Sequence, residues 1–302
     1  MILDGGLSNA LSARGHDLSG HLWTASLLRD APGEIAAVHR TYYEAGAEVA
    51  TTASYQASVE GFAHAGVSRP EAEALICRSV TLARGVRDEL GRDGRRRLVA
   101  ASVGPYGAVL ADGSEYRGRY GVTSARLRDF HLPRIELLAS AEPDLLAVET
   151  IPDAEEAAIL VEILDDVGLP AWLSYSVLGT CTRAGQPLEG AFAVVADSPA
   201  VVATGVNCCR PDDVLHAVEV AGDVTGKPGV AYPNAGQGWE SRSHSWKGPT
   251  SYDVTLAPRW VRAGAAYVGG CCQVGPPDIE ALARALELSE RPPEGVSPDG
   301  VA

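Results

Sequence analysis

Two pairs of adjacent cysteines are the residues of this chain most able to do chemistry. Cys208 and Cys209 close the apolar run VVATGVNCC, and Cys271 and Cys272 close the run AAYVGGCC. If both runs are strands of one parallel sheet, their thiols meet at its carboxyl edge. Three thiolates there would hold a zinc ion and leave its fourth position free for a substrate. Such an ion can keep an external thiol deprotonated, which is chemistry for transferring a group onto sulfur.

The spacing of the cysteines does not decide which thiols would face one ion. Successive side chains of a strand point to opposite faces, so neither pair can direct both sulfurs to one side from regular β structure. Gly269 and Gly270 would permit a backbone bend that turns both sulfurs of the second pair inward. The residues alone leave two questions open: Cys208 or Cys209 as the ligand, and a zinc site or a set of buried thiols.

The segments around the cysteines predict the scaffold that must position them. Eight strand-like runs recur, and most are followed by apolar residues at helical spacing, such as Ile35, Val38 and Tyr42. This alternation predicts one α/β domain, a (β/α)8 TIM-type barrel over residues 1–288. A doubly wound open sheet is the alternative, but no GxGxxG follows the first run. The Pro- and Gly-rich stretch 289–302 predicts a disordered tail.

The composition excludes several classes of function. A net charge of −14 argues against nucleic acid as a partner, because that binding depends on basic patches. No apolar run approaches the ~20 residues that span a membrane. The first residues, MILDGGLSNA, lack the pattern of a secretory signal, so we expect a cytoplasmic protein. Six cysteines in that setting do not indicate a disulfide framework, and we expect no chemical role for Cys77 or Cys181.

Polar side chains follow most of the predicted strands. Barrel enzymes carry their chemistry on the loops at the carboxyl ends of the strands. Asp4 and Glu149 lie at two of these ends, together with the cysteines. Two carboxylates and three thiols around one opening suit a small zwitterionic substrate.

Several segments give the chain a specific resemblance to a known family. It resembles the homocysteine S-methyltransferases, most strongly the bacterial and plant members that use S-methylmethionine or S-adenosylmethionine, over residues 1–285. GVNC and GGCC are the most specific motifs of this resemblance. The segments that carry it include DGGLSNALSARGHDLSGHLWTASLL, SVGPYGAVLADGSEYRGRY, ETIPDAEEA, GVNCCRP, YPNAGQGW and GGCCQVGPPDI.

The resemblance implies a zinc site and an activity. Cys208, Cys271 and Cys272 fall on the zinc-binding cysteines of the family, which favours Cys208 over Cys209. With Glu149, these three are the implied catalytic residues. The implied reaction is zinc-dependent transfer of a methyl group from a sulfonium donor to the thiolate of homocysteine, forming methionine. The implied partners are these small molecules, with no nucleic acid or membrane, for a monomer or small homo-oligomer.

The resemblance also implies how the substrates are held. Glu149 falls on the glutamate that binds the homocysteine amino group, and Asp4 on the aspartate that shares this task. Gly5 would offer backbone contacts to the substrate carboxylate. Trp23 matches an aromatic residue near the methyl donor, where its ring face can attract a sulfonium. Asn234 would position the site near zinc. A structural tryptophan and a turn-capping asparagine are the alternatives for the last two.

Two features of the sequence bear on the donor. Betaine-dependent relatives carry a tyrosine after the glutamate that can occupy the fourth zinc position, whereas this chain has Thr150. The segment ADGSEYRG also favours a sulfonium donor over betaine. The alternatives are a betaine-dependent enzyme and a non-catalytic structural zinc or thiol protein. A structural zinc protein would need a fourth protein ligand. A thiol redox protein would need a CxxC motif.

Overall fold

A computed structural model describes residues 1–18, 20, 22–240 and 245–290 of the chain. The strands among these residues are β1 Val49–Thr51, β2 Leu98–Val103, β3 Leu145–Ile151, β4 Ala171–Tyr175, β5 Val177–Leu178, β6 Cys181–Thr182, β7 Val201–Asn207, β8 Gly229–Tyr232, β9 Gly238–Glu240, β10 Ser245–Lys247 and β11 Ala265–Val268. The α-helices are α1 Leu7–Ala13, α2 Leu27–Asp30, α3 Pro32–Glu44, α4 Val59–His64, α5 Arg69–Leu90, α6 Tyr106–Leu110, α7 Ser124–Ser140, α8 Ala154–Val167, α9 Leu188–Ala193, α10 Pro211–Thr225, α11 Ala257–Arg262 and α12 Pro276–Glu290.

Seven of these strands form one parallel sheet in the order β1-β2-β3-β4-β7-β8-β11. The first residues of the chain join its two edges. Ile2 bridges Val268 of β11, and Leu3 bridges Val49 of β1, both in parallel. The first residues therefore take the place of the eighth strand and close the barrel. This confirms the predicted (β/α)8 architecture, and the alternative of an open sheet is wrong.

Helix α8 illustrates how the sequence sets the boundaries of the elements. Asp153 caps its first turn by accepting a hydrogen bond from the backbone of Glu155, 3.0 Å away. Gly168 ends the helix with φ 72°, a left-handed conformation that glycine adopts without strain. Leu160 and Leu164 lie on its buried face, against the sheet. The spacing of apolar residues thus predicts which side of the helix faces the barrel.

Two apolar layers hold the barrel together. The larger layer lies between the sheet and the surrounding helices. The smaller one includes Leu145, Ala147 and the fully buried Trp172. Because side chains alternate along a strand, Glu149 lies on the same face of β3 as Leu145 and Ala147, at its carboxyl end. The sheet thereby carries a carboxylate above an apolar floor.

The predicted boundary between the barrel and the tail lies near the end of the described residues. Helix α12 runs to Glu290, and the part of the expected disordered tail from 291 to 302 lies outside the described residues. No helix in the described part of the chain is long and apolar enough to cross a membrane.

Gly205 provides a test of how tightly neighbouring strands are packed. A Cβ added there would lie 2.0 Å from the carbonyl oxygen of Val230 on the adjacent strand. We expect Gly205→Ala to lower the free energy of unfolding by about 3 kcal/mol, because backbone must move to admit the methyl group. Urea unfolding followed by circular dichroism measures this change.

The matched control is Gly222→Ala in α10, where an added Cβ meets nothing within 4 Å. That change should raise the free energy of unfolding by roughly 0.5–1 kcal/mol, since alanine favours a helix interior. Equal effects of the two substitutions would contradict the strand packing described here.

Candidate active site

Three cysteine thiols converge at the carboxyl end of the barrel. The Sγ atom of Cys208 lies 2.8 Å from that of Cys271 and 3.7 Å from that of Cys272. All three sulfurs lie within 4.8 Å of one another. Cys208 is buried, and the other two are partly exposed. Hydrogen bonds from the neighbouring thiols hold the pKa of Cys208 below its usual range.

The end of β7 explains why Cys208, and not Cys209, joins this cluster. The strand stops at Asn207, and Cys208 adopts a left-handed backbone with φ 48°. The side chain of Asn207 fixes this point because it accepts from the Thr150 backbone at 2.7 Å and donates to the Thr150 hydroxyl at 2.8 Å. Cys209 packs in the apolar layer under the helices, where burial raises the pKa of its thiol.

The second cysteine pair lies beyond the end of its strand. Because β11 ends at Val268, the alternation of strand side chains no longer constrains Cys271 and Cys272. The Cys271 backbone donates to the carbonyl of Pro233 at 2.8 Å, and the Cys272 backbone donates to Oδ1 of Asn234 at 3.1 Å. The loop after β8 therefore holds both cysteines, and Asn234 contacts the backbone of Cys272 directly.

Gly269 and Gly270 also leave room in the structure that a side chain would fill. Neither has a left-handed φ. A Cβ at Gly269 would lie 2.5 Å from Cβ of Leu3, and one at Gly270 would lie 2.1 Å from Cγ1 of Val274. Gly269 thus allows the cysteine loop to pack closely against the first residues of the barrel, and Gly270 allows the loop to pack against its own Val274.

Two buried carboxylates face the same cavity as the thiols. Asp4 accepts hydrogen bonds from the backbone and the hydroxyl of Thr51, each at 2.8 Å, and Glu149 accepts one from the hydroxyl of Ser102. Burial raises the pKa of Asp4 to about 8, with a further contribution from the charge of Glu149. Burial also raises the pKa of Glu149 to about 7. A cationic group bound between them would favour their charged forms.

Trp23 and Gly5, which were also selected from the sequence, line this cavity. Trp23 begins a 3₁₀ helix and has a left-handed φ of 43°. Gly5 lies so close to the loop after β11 that an added Cβ would be 2.4 Å from the carbonyl oxygen of Val274. Asn234, in contrast, contacts the cysteine loop and is absent from the cavity wall.

Several polar residues of this cavity were not among the site residues predicted from the sequence. Glu115 and Tyr116 lie on a short 3₁₀ helix, Ser114–Tyr116, in the segment ADGSEYRG. The Tyr116 hydroxyl lies 3.7 Å from Sγ of Cys208. A tyrosine therefore stands beside the thiols although Thr150 occupies the position after Glu149. Gln56 and Glu115 each also bring a buried oxygen without a hydrogen-bond partner among the described residues.

The donor set of the three cysteines fits a zinc ion. Sulfur ligands about 2.3 Å from a tetrahedral zinc are separated by about 3.8 Å. The distance from Cys208 to Cys272 already matches this separation, and the distance from Cys208 to Cys271 is shorter. Three protein sulfurs leave one coordination position for another ligand, which distinguishes this arrangement from a closed structural site.

The site and the fold agree with what comparisons with known proteins find. A family model described as homocysteine S-methyltransferase matches residues 1–286. The chain belongs to the homocysteine S-methyltransferase family. It is 43% identical over 307 residues to homocysteine S-methyltransferase 4 of Zea mays, covering 96% of this chain and 90% of the relative. It is 41% identical over 290 residues to homocysteine S-methyltransferase of Escherichia coli, covering 93% and 94% of the two chains.

Solved structures of a family member show the same architecture. The metallated form of the homocysteine methyltransferase MmuM from Escherichia coli superposes with a TM-score of 0.85 at 41% identity, over 94% of this chain and 95% of that one. Its apo form gives a TM-score of 0.77. The family predicted from the sequence is therefore confirmed. The present chain is a methyltransferase with an α/β barrel.

The adjacent Cys208 and Cys209 give a matched test of the metal site. We expect Cys208→Ser to lose zinc, because it removes a sulfur from the cluster. Cys209→Ser should retain it, because Cys209 packs in the apolar layer. Zinc per protein chain is measured by mass spectrometry after dialysis, with circular dichroism as a check on folding. Equal retention of zinc by both variants would exclude Cys208 as a ligand.

Proposed function

We propose that this methyltransferase moves a methyl group from S-methylmethionine or S-adenosylmethionine to the sulfur of homocysteine, forming methionine. The observation that carries the proposal is the position of three converging thiols beside two buried carboxylates in one cavity. Its family membership supports the acceptor and the reaction. The acidic cavity supports a cationic donor, because negative charge around an opening attracts cations.

Cys208, Cys271 and Cys272 would hold the zinc ion. When bound, zinc supplies a Lewis acid whose free position keeps the homocysteine sulfur deprotonated near neutral pH. The protein contributes the positions of the ligands. The loop after β7 carries one sulfur, and the loop after β11 carries two, fixed by the backbone contacts to Pro233 and Asn234.

Glu149 and Asp4 would bind the ammonium group of homocysteine. Thr51 and Ser102 orient their oxygens, so an entering ammonium meets acceptors that are already positioned. The backbone at Gly5 would contact the substrate carboxylate. Contacts at one end of homocysteine and at its sulfur fix the molecule at two points, and such alignment supplies much of the acceleration in a methyl transfer.

The donor would lie on the opposite side of the acceptor sulfur, near Trp23. An aromatic ring face attracts a sulfonium. The bond between the methyl carbon and the donor sulfur breaks, and its electron pair stays on that sulfur. A new bond forms to the homocysteine sulfur. The leaving group is a neutral thioether, so no side chain has to donate a proton.

The assembly and location of the enzyme remain proposals of the same kind. We propose a monomer or a small homo-oligomer as the working form. All six cysteines are free, and three of them must stay reduced to bind metal. This requirement supports a cytoplasmic location, where thiols are kept reduced.

A competition assay tests the proposed reaction. Zinc-loaded protein is given homocysteine with S-methylmethionine, S-adenosylmethionine and betaine, each with a different isotopic label in its methyl group. We expect labelled methionine from one or both sulfonium donors and none from betaine, as read by mass spectrometry. Cys208→Ser should produce no methionine. Label arriving from betaine, or normal turnover by zinc-free Cys208→Ser, would overturn the proposal.

The proposed role of Glu149 has its own test. Glu149→Gln keeps the shape of the side chain and removes its charge, so the KM for homocysteine should rise about 10- to 100-fold, the worth of a hydrogen bond to a charged group. The matched substrate is 4-mercaptobutanoate, which is homocysteine without its amine. Its KM should be the same in the two proteins. If Glu149→Gln raises the KM of both thiols equally, Glu149 does not bind the ammonium.

A further inference from the structure

Two further residues of the cavity wall, Glu115 and Gln56, carry buried hydrogen-bond acceptors in addition to those of Asp4 and Glu149. Glu115 is 4% exposed, and one of its carboxylate oxygens, Oε2, has no hydrogen-bond partner among the described residues. Arg117 is the nearby cation of its own loop, but it is largely exposed and pairs with Asp112 at 3.3 Å. A buried carboxylate oxygen without a partner is costly, and a positively charged ligand that hydrogen-bonds to it would reduce that cost.

Gln56 brings a second acceptor of the same kind. It is 3% exposed, and its Nε2 donates to the carbonyl of Ala108 at 2.9 Å. Because a carbonyl can only accept, this bond fixes the orientation of the amide and leaves Oε1 as an acceptor without a partner. The same short helix, α6, supports both acceptors. It carries Ala108, and an added Cβ at Gly107 would lie 2.6 Å from the backbone nitrogen of Glu115.

The chemistry of these two oxygens selects the group that they can bind. Both accept hydrogen bonds, and one belongs to a carboxylate, so the matching ligand is a cation with N–H donors. A primary ammonium meets this requirement. A sulfonium and a quaternary ammonium do not, because neither has an N–H.

The position of Glu115 relates this acceptor pair to the donor. Glu115 precedes Tyr116, whose hydroxyl lies 3.7 Å from Sγ of Cys208. A sulfonium aligned near the sulfur cluster carries its ammonium only a few bonds away. Asp4 and Glu149 already offer a place for the ammonium of the acceptor. Two amino-acid substrates would thus find two separate carboxylate sites in one cavity.

We propose that Glu115, assisted by Oε1 of Gln56, binds the α-ammonium group of the methyl donor and makes the enzyme select donors that carry a primary amine. This inference rests on the proposed function and deepens it. It predicts discrimination against betaine, whose nitrogen has no hydrogen to donate. It also distinguishes S-methylmethionine from a sulfonium of the same length that lacks the amine.

The test combines the variant Glu115→Gln with removal of the amine from the donor. The two donors are S-methylmethionine and 4-(dimethylsulfonio)butanoate, its analogue without the amine. In the wild-type enzyme, kcat/KM should favour S-methylmethionine about 10- to 100-fold. In Glu115→Gln this preference should disappear through a higher KM for S-methylmethionine. The KM for homocysteine, the zinc content and the rate with the analogue should be unchanged.

Calorimetric titration gives a second measurement that does not depend on turnover. Each donor is titrated into zinc-loaded wild type, Glu115→Gln and Glu149→Gln without homocysteine. We expect Glu115→Gln to weaken binding of S-methylmethionine and Glu149→Gln to leave it unchanged. Absence of methionine with intact amine-dependent binding would overturn the proposed reaction alone. The role of Glu115 would be overturned if the wild type bound the two donors equally. It would also be overturned if Glu115→Gln weakened the binding of both donors equally.

Discussion

Closure of the barrel by the first residues of the chain is the constraint on which the site depends. The Leu3 backbone donates to Val268 at 2.8 Å, and the Asp4 backbone donates to Val49 at 3.0 Å, so the segment is hydrogen-bonded on both sides. The Gly270 backbone in turn donates to the carbonyl of Asp4 at 3.2 Å. One closure therefore positions a carboxylate and the loop that carries two of the sulfurs.

Backbone strain is concentrated around the same opening. Thr150, Cys208, Trp23 and Gln273 all have left-handed φ values, although none of them is glycine. Such conformations cost of order 1–3 kcal/mol each and persist only where surrounding contacts enforce them. For Thr150 and Cys208 the enforcing contacts come from the buried Asn207 and from the neighbouring strand ends. The sulfur and carboxylate positions are thus fixed before any substrate arrives.

The scaffold was largely predictable from the sequence because its signals are local. Strand-like runs alternating with amphipathic helices indicate a barrel, and strand ends indicate where its chemistry lies. The choice between Cys208 and Cys209 was not local, since it depends on β7 ending at Asn207. The resemblance to the family made that choice, and the structure supplies the physical reason.

Other parts of the site had no signal that residue patterns could reveal. A glutamate in ADGSEYRG resembles a solvated loop charge, and only the packing of α6 against its 3₁₀ helix buries it. Gln56 lies outside regular helix and strand, so no periodicity marks its burial. The glycine pair before Cys271 was predicted to permit a backbone bend. Gly269 also leaves room for Leu3, and such a contact between segments distant in sequence cannot be inferred from the neighbouring residues.

The division of the sulfurs between two loops has a thermodynamic consequence. Cys208 follows β7, Cys271 and Cys272 follow β11, and β8 lies between those strands in the sheet. An ion held by all three ties together segments that are more than sixty residues apart in sequence. A ligand that binds only the native state adds RT ln(1 + [L]/Kd) to its stability. Metal supply and resistance to heat are therefore linked in this enzyme, and a cell short of zinc would hold a protein that is both inactive and easier to unfold.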